Sequence, residues 1–201
     1  MAHTQDFGKY NAAVRYGQNL ILGVNEPLTV NGTATFNGTT TAASGLAVTG
    51  NLTVSGSESS LYPVVALPAA GTTFTPTSAQ SNSVFTLNQS AAITITLPAP
   101  VVGMSYDFVV QTSATGSNTL KWITNTGSVY LQGTDIIATV GGASSIFQGN
   151  GTSHISFNCN GTTTGGLVGT IVTFTCLSVT SWQVTAQNFG SGTLVTSFGT
   201  S

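Results

Sequence analysis

The chain has 201 residues, only eight of which carry a formal charge (three Lys or Arg, five Asp or Glu; net charge −2). Each neutralised phosphate needs its own cation, so nucleic-acid backbone binding is excluded, and the scarcity of His and carboxylates argues against an enzyme. A hydrophobic content of 40% excludes a disordered chain, while no apolar run of about 18 residues is present to cross a membrane as a helix.

The remaining composition is 24 Gly with abundant Thr, Ser, Asn and Val. Thr and Val suit a pleated, half-buried surface, and Gly and Asn supply turns, so the expected class is all-β. The start, MAHTQDFGKY, has no apolar core of a signal peptide, which predicts a soluble protein made in the cytoplasm.

Three regions are predicted in chain order. Residues 1–27 hold Asp6, Lys9, Arg15 and Glu26, half of all the charges, together with Phe7, Tyr10 and Tyr16. Aromatics and Arg dominate interface hot spots, so Phe7, Tyr10, Arg15 and Tyr16 are the expected docking residues of an anchoring arm; a frayed terminus is the alternative.

Residues 28–58 form the second region, whose first 30 residues divide into five hexads: LTVNGT, ATFNGT, TTAASG, LAVTGN and LTVSGS. Leu28, Val30 and Gly32, then Ala34, Phe36 and Gly38, and later Leu46, Val48, Gly50, Leu52, Val54 and Gly56 take alternate positions. In extended chain these share one face, with Thr, Asn and Ser on the other. A hexad cannot bury its own stripe, so the ribbon must coil as a solenoid, fold as hairpins onto the next domain, or associate with sister chains. Five hexads are short for a solenoid, and a trimeric β-stem is expected.

Residues 59–201 contain only Asp107, Lys121 and Asp135 as charges after Glu58, and none from Ile136 onward. Strands are predicted at 92–97, 105–111, 119–123, 128–131, 135–140, 154–158, 167–176, 182–186 and 193–198, separated by Gly, Asn, Ser or Pro. Their number and spacing predict a β-sandwich of jelly-roll type with Phe85, Phe108, Trp122, Phe147, Phe157, Phe174 and Trp182 as its large core residues. So few charges lower the desolvation cost of covering this surface with another subunit, which points to a permanent assembly.

The hexad ribbon LTVNGTATFNG…LAVTGNLTVSG resembles the stem segments of bacteriophage fibre and spike proteins. The stretch ITITLPAPVVGMSYDFVV, with the closing SWQVTAQNFGSG, is similar to β-rich domains of phage virion structural proteins, capsid decoration (cement) proteins among them. The resemblance implies a viral structural protein: a homotrimer on the outer capsid surface of the virion, bound to the major capsid protein through its arm. The chain is short for a complete tail fibre, which favours the head. A receptor-binding tail or head fibre recognising host-surface glycans, with Tyr62, Tyr130 or Trp182 as a sugar platform, is the alternative.

No catalytic, cofactor-binding or metal-binding set is expected. His154 alternates with apolar residues along a strand and reads as structural, and His3 lies in the arm. Asp107 and Asp135 are the one carboxylate pair of the main domain, the minimum for a polysaccharide-cleaving site. Cys159 and Cys176 are too few for a four-cysteine zinc site and read as reduced core thiols. Six N-x-S/T sequons occur, at Asn31, Asn37, Asn51, Asn88, Asn150 and Asn160; four are Asn-Gly-Thr, which reads as turn chemistry.

Overall fold

Alternation of inward apolar and outward polar residues organises the strands of the computed structural model, which describes residues 62–67, 73–89, 91–116 and 118–201. Within them lie twelve strands: β1 Val64–Ala66, β2 Thr73–Phe74, β3 Ser83–Leu87, β4 Ile93–Thr96, β5 Ser105–Val110 and β6 Leu120–Ile123 come first. β7 Tyr130–Thr139, β8 Ser144–Asn150, β9 Ser156–Cys159, β10 Ile171–Ser178, β11 Ser181–Gly190 and β12 Phe198–Gly199 follow. They make two sheets, of seven strands in the order β1-β3-β5-β10-β11-β7-β8 and of five in the order β12-β9-β6-β4-β2. Over the described residues the fold is all-β, a two-sheet, sandwich-like body. The anchoring arm, with Phe7, Tyr10, Arg15 and Tyr16, and the hexad stem lie outside the described residues.

The connectivity differs from the expected jelly roll, which would pair its strands antiparallel. From β1 to β6 the chain changes sheet at every strand, so β1, β3 and β5 run parallel in one sheet and β2, β4 and β6 parallel in the other. A strand that crosses to the opposite sheet and returns arrives beside its predecessor in the same direction. Parallel pairing is then reached without a crossover helix. The second half returns to antiparallel pairs, β7 with β8, β9 with β6 and β12, and β10 with β5 and β11, apart from the long parallel ladder of β7 and β11.

Inward positions of both sheets meet in one core. Phe85, Phe108, Trp122, Phe157, Phe174 and Trp182 are fully buried as expected, while Phe147 on β8 is half-buried and packs against the core from its edge. The Trp122 ring, on the smaller sheet, touches Phe108 and Phe174 of the larger one at centroid distances of 5.7 and 6.1 Å, and Phe157 at 5.8 Å. Full burial of such a side chain contributes about 1.5–3 kcal/mol from transfer alone, so these rings hold the two layers together.

Strand boundaries depart from expectation at specific places. The predicted strands 128–131 and 135–140 are one strand, β7, because Gly133 continues it with φ 124° instead of breaking it. A Cβ at Gly133 would collide with the Val184 carbonyl oxygen of β11, so the close parallel approach requires glycine. Of the expected strand 193–198 only Phe198 pairs, with Phe157, and β12 continues into Gly199 opposite Ser156. β1, β2, β3 and β8 were not predicted.

Candidate functional site

Among the described residues Asp135 is the one Asp, Glu, Lys, Arg or His fully buried in the interior, and its neighbours decide its chemistry. It sits on the inner face of β7, in a cross-strand row with Ala186, Val172 and Phe108, and is 0% exposed. Asn188 of β11 and Ser197, just before β12, reach it from either side. Ser197 Oγ lies 2.6 Å from Asp135 Oδ2 and 3.0 Å from the Thr164 carbonyl. Asn188 Nδ2 is 3.1 Å from that carbonyl, 3.5 Å from Asp135 Oδ2 and 3.8 Å from Cys159 Sγ. Asn188 Oδ1 accepts from the Gly166 N–H at 2.8 Å and from Thr170 Oγ1 at 3.1 Å.

The Ser197 hydroxyl can serve either protonation state of this cluster. Ser197 has one hydroxyl proton and two acceptors within reach. When Asp135 is ionised, that proton goes to the carboxylate. When Asp135 is protonated, the acid donates to Ser197 and Ser197 donates to Thr164, so both short contacts are used. Asp135 Oδ1 has no hydrogen-bond partner among the described residues, which further penalises the charged form. Burial pushes the Asp135 carboxyl up from 3.8 to about 6, against the opposing hydrogen bonds of Ser197 and Asn188. The same burial, with the nearby Asp135 charge, raises the Cys159 thiol. These residues tie β7, β9, β11 and the segment before β12 together.

The other candidates are separate from this cluster. Asp107 points to the opposite face of the larger sheet and accepts from Thr173 Oγ1 at 2.6 Å. The Asp107 and Asp135 strands are separated by β10 and β11, three strand spacings or about 14 Å, with the side chains on opposite faces. Paired glycosidase carboxylates need about 5–10 Å, so these two do not form such a pair. His154 Nδ1 accepts from the Asn150 N–H at 3.1 Å, and its ring stacks on Phe198 at 5.6 Å, an arrangement that packs a strand end. Cys159 and Cys176 are both free and buried. Among the described residues no group of three or more His, Cys, Asp or Glu could hold a metal ion.

Two of the Asn-Gly-Thr sequons form the same turn. Asn150 Oδ1 accepts from the N–H groups of Thr152 and Ser153, each at 3.0 Å, and Asn160 Oδ1 from those of Thr162 and Thr164 at 2.9 and 3.1 Å. The Asn side chain replaces the backbone acceptor that a turn lacks. Of the aromatics named for a sugar platform, Trp182 is fully buried in the core and cannot serve; Tyr130 is half-buried and Tyr62 is exposed.

Outside, the end of the larger sheet formed by β7, β8, β10 and β11 is uncharged and studded with aliphatic side chains. Ile136, Ile146 and Ile171 are exposed on this outer face along one cross-strand row. Beside them Ala138, Thr139, Val140, Leu167, Val168 and Phe189 line a shallow apolar recess of about 330 Å³. Solitary exposed aliphatics are ordinary, whereas a contiguous group on one uncharged face marks a surface suited to a partner.

Neither a scan against protein-family models nor a search of curated proteins finds a match to the chain.

Proposed function

We propose that this chain is a structural protein of a bacteriophage virion: a homotrimeric decoration protein that binds the outer surface of the head and strengthens contacts between capsomers. The observation that carries this reading is the combination of a six-residue apolar repeat over 28–57 with a body devoid of charge from Ile136 to Ser201. The repeat needs sister chains to cover its stripe. The body's outer face, with Ile136, Ile146, Ile171 and Phe189 exposed, loses little hydration when covered. Phe7, Tyr10, Arg15 and Tyr16 are the residues proposed to grip the major capsid protein.

The role is mechanical and calls for no reaction, metal or cofactor. A protein that binds only the assembled shell stabilises it by mass action, because contacts to the decoration must be lost before capsomers separate. Stripping the protein from particles and measuring their rupture under heat and osmotic shock tests the role. A lowered rupture threshold, restored when the protein is added back, is the expected result; unchanged thresholds would refute it. In a glycan array the purified protein is expected to bind nothing, whereas specific binding would favour a receptor-recognising fibre.

A further inference from the structure

We propose that the free edge of β8 pairs antiparallel with β8 of a second copy of this chain, joining two seven-stranded sheets about a two-fold axis. A sheet edge presents unpaired N–H and C=O groups, and folded proteins usually blunt it with shortness, charge, proline or a bulge. Among the described residues the two sheets have four edges, and three of them are blunted. β2 and β12 have two residues each, and β1 has three and follows Pro63. The fourth, β8, has seven residues, SSIFQGN.

Apart from its last residue, Asn150, whose outer N–H is taken by His154 Nδ1, β8 carries none of the usual protections. It contains no charge and no proline, and its register with β7 runs without a bulge from Gln132↔Asn150 to Ala138↔Ser144. Ser144, Ile146, Gln148 and Asn150 point outward and are exposed, Ile146 to 68%. Among the described residues no strand lies on its far side.

The choice of a second copy follows from length and charge. A seven-residue edge needs an edge of similar length, and of the four edges among the described residues only another β8 offers one. In an isologous antiparallel contact centred on β8, Phe147 meets its own counterpart and Ile146 meets Gln148 of the other copy, so a charge near the centre would lie close to its like. With no charge on β8 and none later in the chain, no such repulsion arises. The contact extends the row of exposed Ile136 and Ile146 across the boundary and covers Ile146.

This inference stands apart from the trimeric stem, and sedimentation of the full chain separates the two. At micromolar concentrations the wild type is expected to contain an even number of copies. Ile146→Lys places a cation at the centre of the edge and is expected to halve that mass while the circular dichroism stays that of a β protein. Gln148→Lys, at a second exposed position, is expected to do the same. A hexamer falling to a trimer supports both readings; a dimer falling to a monomer supports the edge pairing and removes the stem trimer. A trimer unaffected by either variant overturns the edge pairing and leaves the stem; a wild-type monomer overturns both.

Discussion

Trp122 and Asp135 are both completely buried between the same two sheets, yet their surroundings stabilise the fold in different ways. Around Trp122 the neighbours are the rings of Phe108, Phe157 and Phe174, and what matters is filled volume. Around Asp135 the neighbours are Ser197, Asn188 and, through Asn188, Thr164 and Cys159, and what matters is the number of protons available to the acceptors. An apolar core region is indifferent to pH, while a buried carboxyl ties stability to it. One sandwich therefore contains a region governed by packing and one governed by protonation.

The largest expected effect lies on the packing side. Trp122→Ala opens a cavity bridging both sheets and should cost about 3–5 kcal/mol, read by denaturant unfolding. A cost below about 1 kcal/mol would show that the two layers do not depend on this cluster.

Next comes the pH dependence set by Asp135. Its folded value of about 6 lies above the unfolded 3.8, so the native state holds a proton that the unfolded chain releases between those values. The associated stability is fully present below about pH 3.8 and lost as pH rises through about 6. The difference is at most about 3 kcal/mol between the two limits. Asp135→Asn imitates the protonated acid, donating to Ser197 while Ser197 donates to Thr164. Melting at pH 5 and pH 8 should show the wild type less stable at the higher pH and the variant nearly level. An equally steep decline in both would place the dependence elsewhere.

The smallest effect belongs to Ser197→Ala, which removes one hydroxyl from the cluster and should cost about 1 kcal/mol. Because that hydroxyl stabilises the Asp135 charge at 2.6 Å, its loss should also move the carboxyl's titration further upward. Proton uptake followed by NMR of the Asp135 carboxyl checks the direction. A downward move would contradict the hydrogen-bond assignment.

The packing region was legible in the sequence and the polar one was not. Large aromatics within candidate strands mark the core, and Phe108, Trp122, Phe157, Phe174 and Trp182 are each buried. Alternation is blind to strand direction, so the parallel coil of β1 to β6 was invisible. β8 was missed because SSIFQGN holds just two large apolar residues and ends in Gly-Asn, which read as a turn. The gap between the expected strands 128–131 and 135–140 holds Gly133, which serves a close approach to Val184 instead of ending a strand. Asp135 meets Asn188 and Ser197 across 53 and 62 residues of sequence, and no local pattern marks such a meeting. The sequence named Asp135 as a candidate carboxylate with Asp107; the fold turns it inward and gives it these different partners.

On the proposed function the chain sits on the outer surface of a phage head. Antibody-labelled electron microscopy of purified particles of the phage that carries the chain tests this most directly. Label spread over the outer surface of the head, at capsomer junctions, is the expected result. Label confined to the tail, or particles without the protein, would contradict it.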